Sequence, residues 1–271
     1  MGKKVRLDVL LVEKGLLETR EKAKRTIMAG LVFHKQVRLD KPGMKIDEDA
    51  DILVKGRLLP YVSRGGLKLE KALNNFNLNI QGKIMIDVGS STGGFTDCAL
   101  QNGVAQSYAV DVGYNQLDWK LRNHEQVIVL ERTNFRYMTL DDLKHGQPEF
   151  ATIDVSFISL RIILPVLASL LKAESDVVAL IKPQFEAGRD QVGKKGIVRE
   201  PAIHKNVVLN ILTFAQEYGF KTKALTFSPI TGGDGNIEFL AHFRYGDASN
   251  DKLFDIDIDE IVKEAHSKHK K

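Results

Sequence analysis

The chain has 271 residues, of which 43% are hydrophobic and 27% are charged, and this length predicts one medium domain with a smaller second one. Cys98 is the only cysteine, which excludes an internal disulfide and a thiolate metal cluster, and we predict no metal site. The N-terminus lacks the apolar core of a signal peptide, and the longest apolar run, residues 162–171, is about half as long as a membrane span, so we expect a cytoplasmic protein.

Residues 1–62 carry the positive surplus of the chain. They contain fourteen Lys or Arg and nine Asp or Glu, whereas the remaining residues contain twenty-five and twenty-six. The leucines between Leu7 and Leu17 share one face of a predicted first helix. Thr19 is the expected N-cap of a second helix, which ends at Gly30.

Short strands are predicted after these two helices. Residues 31–39 and 51–56 show the alternation of apolar and polar side chains that is typical of strands. The sequence KPGMKIDEDA between them, residues 41–50, predicts a turn. We therefore predict a small α+β domain over residues 1–59.

Basic residues of the second helix lie outside its apolar stripe, which is typical both of a solvated helix face and of an RNA-binding surface. The motifs Arg6-Leu7-Asp8, Thr19–Ala23 and Ile27–Val32 resemble the RNA-binding domain of small-subunit ribosomal protein four, pseudouridine synthases and tyrosyl-tRNA synthetases, over about residues 4–58. The turn His34-Lys35-Gln36 departs from the Val-Asn-Gly that is common in that family. The resemblance implies that the following cations bind RNA: Lys4, Arg6, Arg20, Lys24, Arg25, Lys35 and Arg64.

From residue 60 onward, apolar strands alternate with helical patterns. Strands are predicted at 84–88, 106–111, 126–130, 149–154, 176–181, 222–227 and 236–243. Helices are predicted near 64–76, 92–102, 114–122, 159–171 and 202–218. This order predicts a Rossmann-like α/β sheet over residues 60–246, with an antiparallel edge strand that is typical of methyltransferases. Residues 247–271 are predicted to be a charged tail that is either on the surface or partly disordered, with some helical character in IDEIVKEAHSK.

The sequence IDVGSSTGGFTD, residues 86–97, predicts a strand, a glycine-rich turn and the start of a helix. It lacks the second glycine of a dinucleotide fingerprint and the Gly-Lys-Ser/Thr of a P-loop. It matches the Gly-x-Ser-x-Gly pattern of a hydrolase around Ser91, so a hydrolase is an alternative. The spacing Asp87-x-Gly89-x-x-x-Gly93-Gly94 suits S-adenosylmethionine, because the loop backbone can lie against that cofactor.

Polar residues also follow the next strands of the predicted sheet. Asp111 ends the second strand, where a carboxylate can accept both ribose hydroxyls of adenosine, although an Asp that only forms the turn is the alternative. Asn134 and Phe135 follow the third strand and are expected to contact adenine. The residues predicted to bind S-adenosylmethionine are Asp87, Gly89, Ser90, Ser91, Thr92, Gly93, Gly94, Phe95, Asp111, Val112, Asn134, Phe135 and Asp154.

The identity of the chemical group that receives the methyl is narrowed by excluding two of the alternatives. Residues 153–160 read IDVSFISL and lack the Asp/Asn-Pro-Pro-Tyr motif of amino-directed methyltransferases. Cys98, the only possible nucleophile for methylation at a base carbon, lies on an apolar helix face. A hydroxyl acceptor therefore remains. Charged candidates lie on the first helix and at strand ends: Lys68, Asp154, Lys182 and Glu238.

These four residues resemble the Lys-Asp-Lys-Glu set of RNA ribose 2′-O-methyltransferases. With the segments SRGGLKLEKAL, DVGSSTGGFTD, DVSFISL, IKPQFE and GGDGNIEF, the chain resembles the TlyA, or hemolysin-A-like, rRNA methyltransferase family up to about residue 246. The catalytic domain of that family is FtsJ-like. The resemblance implies S-adenosylmethionine-dependent 2′-O-methylation of cytidine in rRNA, with rRNA or ribosomal subunits as partners and those four residues as the catalytic set.

Alternatives remain open for Lys182 and for the whole chain. A lysine that acts as a base needs burial and a neighbouring cation such as Lys68 to favour its neutral form. Otherwise Lys182 stabilises alkoxide charge as a cation, with Asp154 as the proton acceptor.

Two other functions of the whole chain are considered. One is a non-catalytic RNA-binding or ribosome-assembly protein. The other is a membrane-active toxin, which the hemolysin name suggests but which the absence of a predicted membrane span disfavours.

Overall fold

Residues 4–28, 30–55, 59–246 and 256–270 are described by the computed structural model, and they fall into two units that divide after Pro60. Ala29, in one of the RNA-binding motifs, and Gly56, at the end of a predicted strand, lie outside these ranges. So do residues 247–255 of the predicted tail. The two units are described separately below.

The first unit has two helices and two small sheets. Its elements are β1 (Lys4–Arg6), α1 (Leu7–Glu13), α2 (Arg20–Met28), β2 (Val32–His34), β3 (Val37–Arg38), β4 (Lys45–Asp47) and β5 (Ile52–Val54). Strand β1 pairs with β4, and β2 lies between β3 and β5, with all of these pairs antiparallel. The segment that we predicted as a turn, residues 41–50, thus contains β4, because a three-residue strand is too short to show alternation.

The core of the first unit lies between its helices and the three-stranded sheet. Leu7, Leu10 and Leu11 recur at helical spacing and are fully or almost fully buried. They pack with Ala23 and Ile27 of α2 and with apolar residues of β2 and β5. The predicted helices of this segment therefore bury most of the faces that their sequences indicate. Met28 is the exception, because its sequence pattern predicts an inward side chain and it is 72% exposed.

A seven-stranded sheet forms the centre of the second unit. Its strands are β6 (Ile84–Val88), β7 (Gln106–Val110), β8 (Val127–Leu130), β9 (Phe150–Ile153), β10 (Ser175–Ile181), β11 (Phe220–Phe227) and β12 (Phe239–Tyr245). The strand order is β11-β12-β10-β9-β6-β7-β8. Strand β12 lies between β10 and β11 and runs antiparallel to both of them, whereas the other neighbouring pairs in this sheet are parallel. The predicted fold class is confirmed, but the antiparallel strand is one position in from the edge.

Helices cover both faces of this sheet. They are α3 (Gly66–Asn75), α4 (Gly94–Gln101), α5 (Trp119–Arg122), α6 (Leu160–Leu170), α7 (Pro183–Glu186), α8 (Pro201–Glu217) and α9 (Ile258–His269). Alternate side chains of one strand face opposite layers, so Ile86 packs in the cluster of α6 and α8 while Met85 packs in the cluster of α3 and α4. The carboxyl ends of the parallel strands are thereby left open for a ligand.

The C-terminal helix α9 corrects one expectation. We predicted residues 247–271 as a surface or partly disordered tail, but Ile258, Val262 and Ala265 are buried in the main core. Helix α9 packs against α8 and β11. The mixed charges of this segment lie on the outer face of an amphipathic helix, which hid its buried stripe.

Candidate active site

The glycine-rich turn after β6 is shaped by close packing against its own fold. Gly89 has φ +84°, and a Cβ there would lie 2.6 Å from the carbonyl oxygen of Asp154. Gly93 has φ +93°, and a Cβ there would collide with Leu121 and lie 2.8 Å from a methyl of Leu117. Gly93 therefore makes room for these leucines, and it lines neither of two cavities that lie at this edge of the sheet. A cofactor contact by Gly93 stays a prediction.

The Asp87 side chain is also turned away from these two cavities. It is fully buried, and its two oxygens accept hydrogen bonds from the hydroxyls of Thr96, at 2.7 Å, and Thr152, at 2.8 Å. Burial raises the pKa of this carboxyl to about 6, against the opposing effect of the two hydroxyls. The Asp87 side chain ties the start of α4 to β9 and lines neither cavity, and a cofactor contact by this residue stays a prediction.

One cavity lies beyond the ends of β6 and β7 and has a volume of about 310 Å³. Asp111 is at its edge and accepts hydrogen bonds from the backbone N–H groups of Ser91, at 2.8 Å, and Gly113, at 2.7 Å. Val112 and Phe135 contribute apolar surface. We call this space the Asp111 cavity.

A second cavity of about 310 Å³ holds the four predicted catalytic residues. Lys182 Nζ lies 2.5 Å from Asp154 Oδ1, and Lys68 Nζ lies 3.6 Å from Asp154 Oδ2. Lys68 Nζ also lies 2.7 Å from Glu238 Oε2, and the Glu238 side chain is only 2% exposed. We call this space the Lys182 cavity. Two lysine side chains thus alternate with two carboxylates along a short line, in which Asp154 is partly exposed.

Four separate elements bring these charges together. Lys68 lies in the first turn of α3, Asp154 directly follows β9, Lys182 directly follows β10, and Glu238 directly precedes β12. Because β12 is antiparallel, its start lies at the same edge of the sheet as the ends of β9 and β10. The position of β12 inside the sheet therefore allows Glu238 to reach Lys68.

The two cavities adjoin each other. Both are lined by Gly89, Ser91, Asp154 and Ser156. Lys182 Nζ donates a hydrogen bond of 3.0 Å to the hydroxyl of Ser156, which fixes the lysine at this junction. A ligand in the Asp111 cavity can therefore extend toward Lys182.

Most of the predicted cofactor residues line one of these cavities. The turn residues Ser90, Thr92, Gly94 and Phe95 line the Lys182 cavity. Asn134 lines the Asp111 cavity, and its side-chain oxygen accepts a hydrogen bond of 3.2 Å from the backbone N–H of Arg136. Arg64 lines the Lys182 cavity together with Ser63 and Gly233, beside the predicted catalytic residues.

The sequence analysis missed Ser156, which lies at the cavity junction, and Phe157, which lines the Asp111 cavity. Phe157 is 90% exposed, has φ +63°, and its ring centroid lies 5.1 Å from that of Phe185. Both missed residues closely follow Asp154 at a strand end, which is a signal that could have found them.

The predicted RNA-binding residues of the first unit show a different kind of charge cluster. Asp8 is fully buried and accepts hydrogen bonds from Arg6 Nε, at 2.9 Å, and Arg20 Nη2, at 3.0 Å. These arginines lower the pKa of Asp8 to about 2. Lys24 forms a weaker contact with Glu21, at 3.4 Å. The remaining predicted contacts of this unit are exposed: Lys4, Arg25 and Lys35.

Two features are absent from the described ranges. In residues 4–28, 30–55, 59–246 and 256–270, no group of three or more His, Cys, Asp or Glu side chains is arranged to hold a metal ion. Within the same ranges, no helix has both the length and the apolar composition to cross a bilayer.

Comparisons with known proteins follow the division into two units. Residues 61–245 match the FtsJ-like methyltransferase family, and residues 5–52 match the S4 domain. The chain is 64% identical over 267 residues to YqxC of Bacillus subtilis, named as an rRNA methyltransferase, with 98% of this chain and 95% of the relative covered. It is 40% identical over 245 residues to the 16S/23S rRNA (cytidine-2′-O)-methyltransferase TlyA of Mycobacterium tuberculosis, with 90% and 91% covered.

A solved structure agrees with the whole chain. It belongs to a hemolysin-named protein from Streptococcus thermophilus, with a TM-score of 0.77 and 54% sequence identity. The match covers 99% of this chain and 98% of that one.

Proposed function

This chain belongs to the TlyA family of FtsJ-like, S-adenosylmethionine-dependent methyltransferases, and we propose that it methylates a ribose 2′-hydroxyl of ribosomal RNA, on cytidine. The observation that carries the proposal is the convergence of Lys68, Asp154, Lys182 and Glu238 in one cavity beside the glycine-rich turn. The name of the Mycobacterium tuberculosis relative supports the same acceptor and the same base.

The Asp111 cavity fits the adenosine part of S-adenosylmethionine. Each carboxylate oxygen of Asp111 accepts one backbone N–H and can accept a further hydrogen bond, so both ribose hydroxyls can be held there. Val112 and Phe135 offer apolar surface to adenine. When bound, the cofactor supplies an electrophilic methyl group. The turn residues around Ser91 lead from this cavity to Lys182 and would hold the amino-acid part.

The charged residues then act on the acceptor hydroxyl. A ribose hydroxyl is a poor nucleophile, so the site must orient it and remove its proton as the new bond forms. Lys182, held by Asp154 and Ser156, either takes that proton as a neutral amine or stabilises the developing negative charge as an ammonium. In the second case Asp154 accepts the proton. Lys68 contacts both Asp154 and Glu238 and keeps the two carboxylates in place.

RNA is the substrate that the rest of the chain supports. The S4 domain of the first unit carries exposed cations for phosphates. In the second unit, the exposed Phe157 and its neighbour Phe185 offer aromatic surface on which an unstacked base can lie. We propose rRNA or a ribosomal subunit as the partner and the cytoplasm as the location, where those partners are assembled.

Methyl transfer to defined RNA tests the function directly. The purified full chain is mixed with tritiated S-adenosylmethionine and rRNA from cells that lack the protein. Methylation of a 2′-hydroxyl makes the adjoining phosphodiester bond resistant to alkali, because that hydroxyl is the nucleophile in alkaline cleavage. We expect label in alkali-resistant dinucleotides whose first nucleotide is cytidine. Label in alkali-sensitive nucleotides would move the acceptor to a base.

The same experiment separates the non-catalytic alternative. An RNA-binding or assembly protein would bind the rRNA without transferring label under any single-turnover condition. Both unmethylated intact subunits and protein-free rRNA should be tested, because the RNA structure that the enzyme recognises can exist in only one of these two substrates. Binding without transfer to either substrate would favour the assembly protein.

A further inference from the structure

A basic segment, residues 189–199, connects α7 to α8 at the edge of the sheet that carries the Lys182 cavity. It contains Arg189, Lys194, Lys195 and Arg199 against a single acid, Asp190. The other residues from 63 onward carry twenty-one cations and twenty-five anions, so the rest of this part of the chain has a small negative surplus. This segment is therefore a local positive patch, and we call it the basic hairpin.

The four cations of the basic hairpin are available to a partner. All four are exposed. Within the described ranges, none of their side chains has a carboxylate or a hydrogen-bond acceptor of the protein as its partner. This contrasts with Lys205 and Lys263 of the neighbouring helices, which pair with Asp259 at 2.6 Å and with Glu260 at 3.0 Å.

A lysine at the tip of the basic hairpin has an unfavourable backbone conformation. The turn is closed by hydrogen bonds of 3.1 Å from Gly196 N–H to Gly193 O and from Gly193 N–H to Ile197 O. Lys195 has φ +66°, in the left-handed region that Gly or Asn occupies more readily. A charged residue in a conformation that disfavours it points to a use for the charge.

Asn236 fixes the basic hairpin to the wall of the Lys182 cavity. It is 1% exposed, its side-chain oxygen accepts a hydrogen bond of 3.0 Å from Val198 N–H, and its side-chain amide donates one of 2.8 Å to Gly196 O. Its own carbonyl accepts from Gly232 N–H at 2.9 Å. Gly232 and Glu238 both line the Lys182 cavity, so the hairpin is a fixed part of its surroundings.

From these observations we infer that the basic hairpin binds phosphates of the RNA strand next to the nucleotide that is methylated. The inference rests on the proposed function. A ribose in RNA has a phosphate on each side, so a strand held with its hydroxyl at Lys182 must continue past the rim of the cavity. Exposed Lys and Arg without acidic partners attract such a strand and release its counterions.

Neutralising the tip tests this inference in the full chain. The variant Lys194→Gln/Lys195→Gln keeps side chains of similar length, and Gln tolerates the left-handed position about as well as Lys does. Its affinity for protein-free rRNA is measured between about 50 and 250 mM salt, beside its affinity for S-adenosylmethionine. We expect RNA affinity to fall by about tenfold at low salt, and the slope of log K against log salt to fall in magnitude by between about 0.7 and 2.

The matched control is Lys205→Gln/Lys263→Gln, which removes the same charge from lysines that already have acidic partners. Its RNA affinity and its salt slope should equal those of the wild type. Cofactor affinity should be unchanged in both variants. If the tip variant loses cofactor binding, Arg189→Gln/Arg199→Gln, which lies outside the turn, replaces it and carries the same expectation.

The outcomes separate the inference from the proposed function. Wild-type slope and affinity in the hairpin variants, with cofactor binding intact, would overturn the inference while leaving the methyltransferase standing. If the wild type methylates free rRNA, a loss of affinity for intact ribosomal subunits without any loss for that free rRNA would also overturn it, because the hairpin would then contact a ribosomal protein. Failure of the wild type itself to bind RNA or to transfer methyl would instead reject the proposed function.

Discussion

Each unit of the chain places one carboxylate between two cations, but the cations differ. In the first unit, Asp8 joins Arg6 and Arg20 through hydrogen bonds of 2.9 and 3.0 Å. Arginine stays charged at every accessible pH, and its planar group has donors to spare. About half of each arginine side chain is exposed, so the cluster is rigid yet can still donate to a phosphate.

In the second unit, Asp154 lies between Lys182 and Lys68, and Glu238 extends the line of charges. Lysine can exchange its proton, and both lysines here are about nine-tenths buried. A related arrangement thus serves two purposes. Arginine on the surface suits the capture of a charged polymer, whereas lysine in a cavity suits chemistry on a hydroxyl. Substitutions in both units can test this contrast.

Lys182→Ala should produce the largest change. We expect single-turnover methyl transfer to fall by about 100- to 10,000-fold, because either a general base or the stabilisation of an alkoxide is lost. Cofactor and RNA affinities should stay near those of the wild type. Lys172→Ala is the control, because that lysine is half-exposed and pairs with Glu149 at 3.3 Å. Transfer by Lys182→Ala at the wild-type rate would place the chemistry elsewhere.

Lys182→Arg places an arginine beside Asp154, so that this carboxylate has an arginine partner as Asp8 does. If Lys182 acts as a neutral base, this variant should be as inactive as Lys182→Ala, because arginine does not give up its proton. The pH–rate profile of the wild type should then have a limb in which the rate rises with pH, and both variants should lack this limb. If Lys182 acts as a cation, Lys182→Arg should retain part of the rate and the limb should be absent from the wild type.

Asp87 is a third kind of buried carboxylate, because its partners are hydroxyl groups. Among the described residues, no cation pairs with it. Its pKa is raised to about 6, so the folded chain binds a proton between about pH 4 and 6 that the unfolded chain has released. Stability should therefore fall as pH rises through this range, by about 3 kcal/mol in total. Denaturant unfolding of Asp87→Asn should show a flatter pH dependence, and parallel curves for both proteins would contradict the buried, raised carboxyl.

Asp8 should show the opposite sign. Its pKa is lowered to about 2, so its stabilisation is present above about pH 4 and is lost as pH falls through 2. Asp8→Asn should lower the stability of the first unit at about pH 7 by about 1 to 2 kcal/mol. Hydrogen exchange of the α1 and α2 amides in the full chain measures this loss. Unchanged exchange rates would mean that the two arginines do not need their shared carboxylate.

Arg20 should give the smallest effect. We expect Arg20→Gln to weaken rRNA binding a few-fold and to lower the magnitude of the salt slope by almost 1, because one phosphate contact is lost. Arg20→Lys should keep the slope and lose only part of the affinity. Lys22→Gln is the control, since Lys22 lies on the same helix and already pairs with Glu18 at 3.1 Å. Equal slopes for all four proteins would make Arg20 a structural residue only.

Local patterns predicted most elements of the second unit, and the reason is physical. The predicted strand at 84–88 has the bounds of β6, because a buried parallel strand is a short apolar run between turn residues. Lys68, Asp154, Lys182 and Glu238 are recognisable in the sequence itself, since charges beside apolar strands are conspicuous and match a known set. The cation-rich α2 is recognisable in the same way.

Other features depended on contacts between distant parts of the chain, which a local pattern does not encode. Glycine at position 93 indicated a ligand, but only the packing of Leu117 and Leu121 shows which surface required it. Asp87 stands in a cofactor-like motif, yet Thr152, sixty-five residues away, occupies one of its oxygens.

The sequence alone predicted most strands and helices, the change near residue 60 from a small basic segment to an α/β segment, and the residue types of the candidate site, because each of these follows from residues that are near in the chain. The entry of β12 into the sheet beside β10, by which Glu238 meets Lys68, is visible only in the folded chain. The tertiary structure also decided that α9 is buried and that Asn236 holds the basic hairpin. Those features come from the packing of segments far apart in the sequence, where shape and burial select one partner among many.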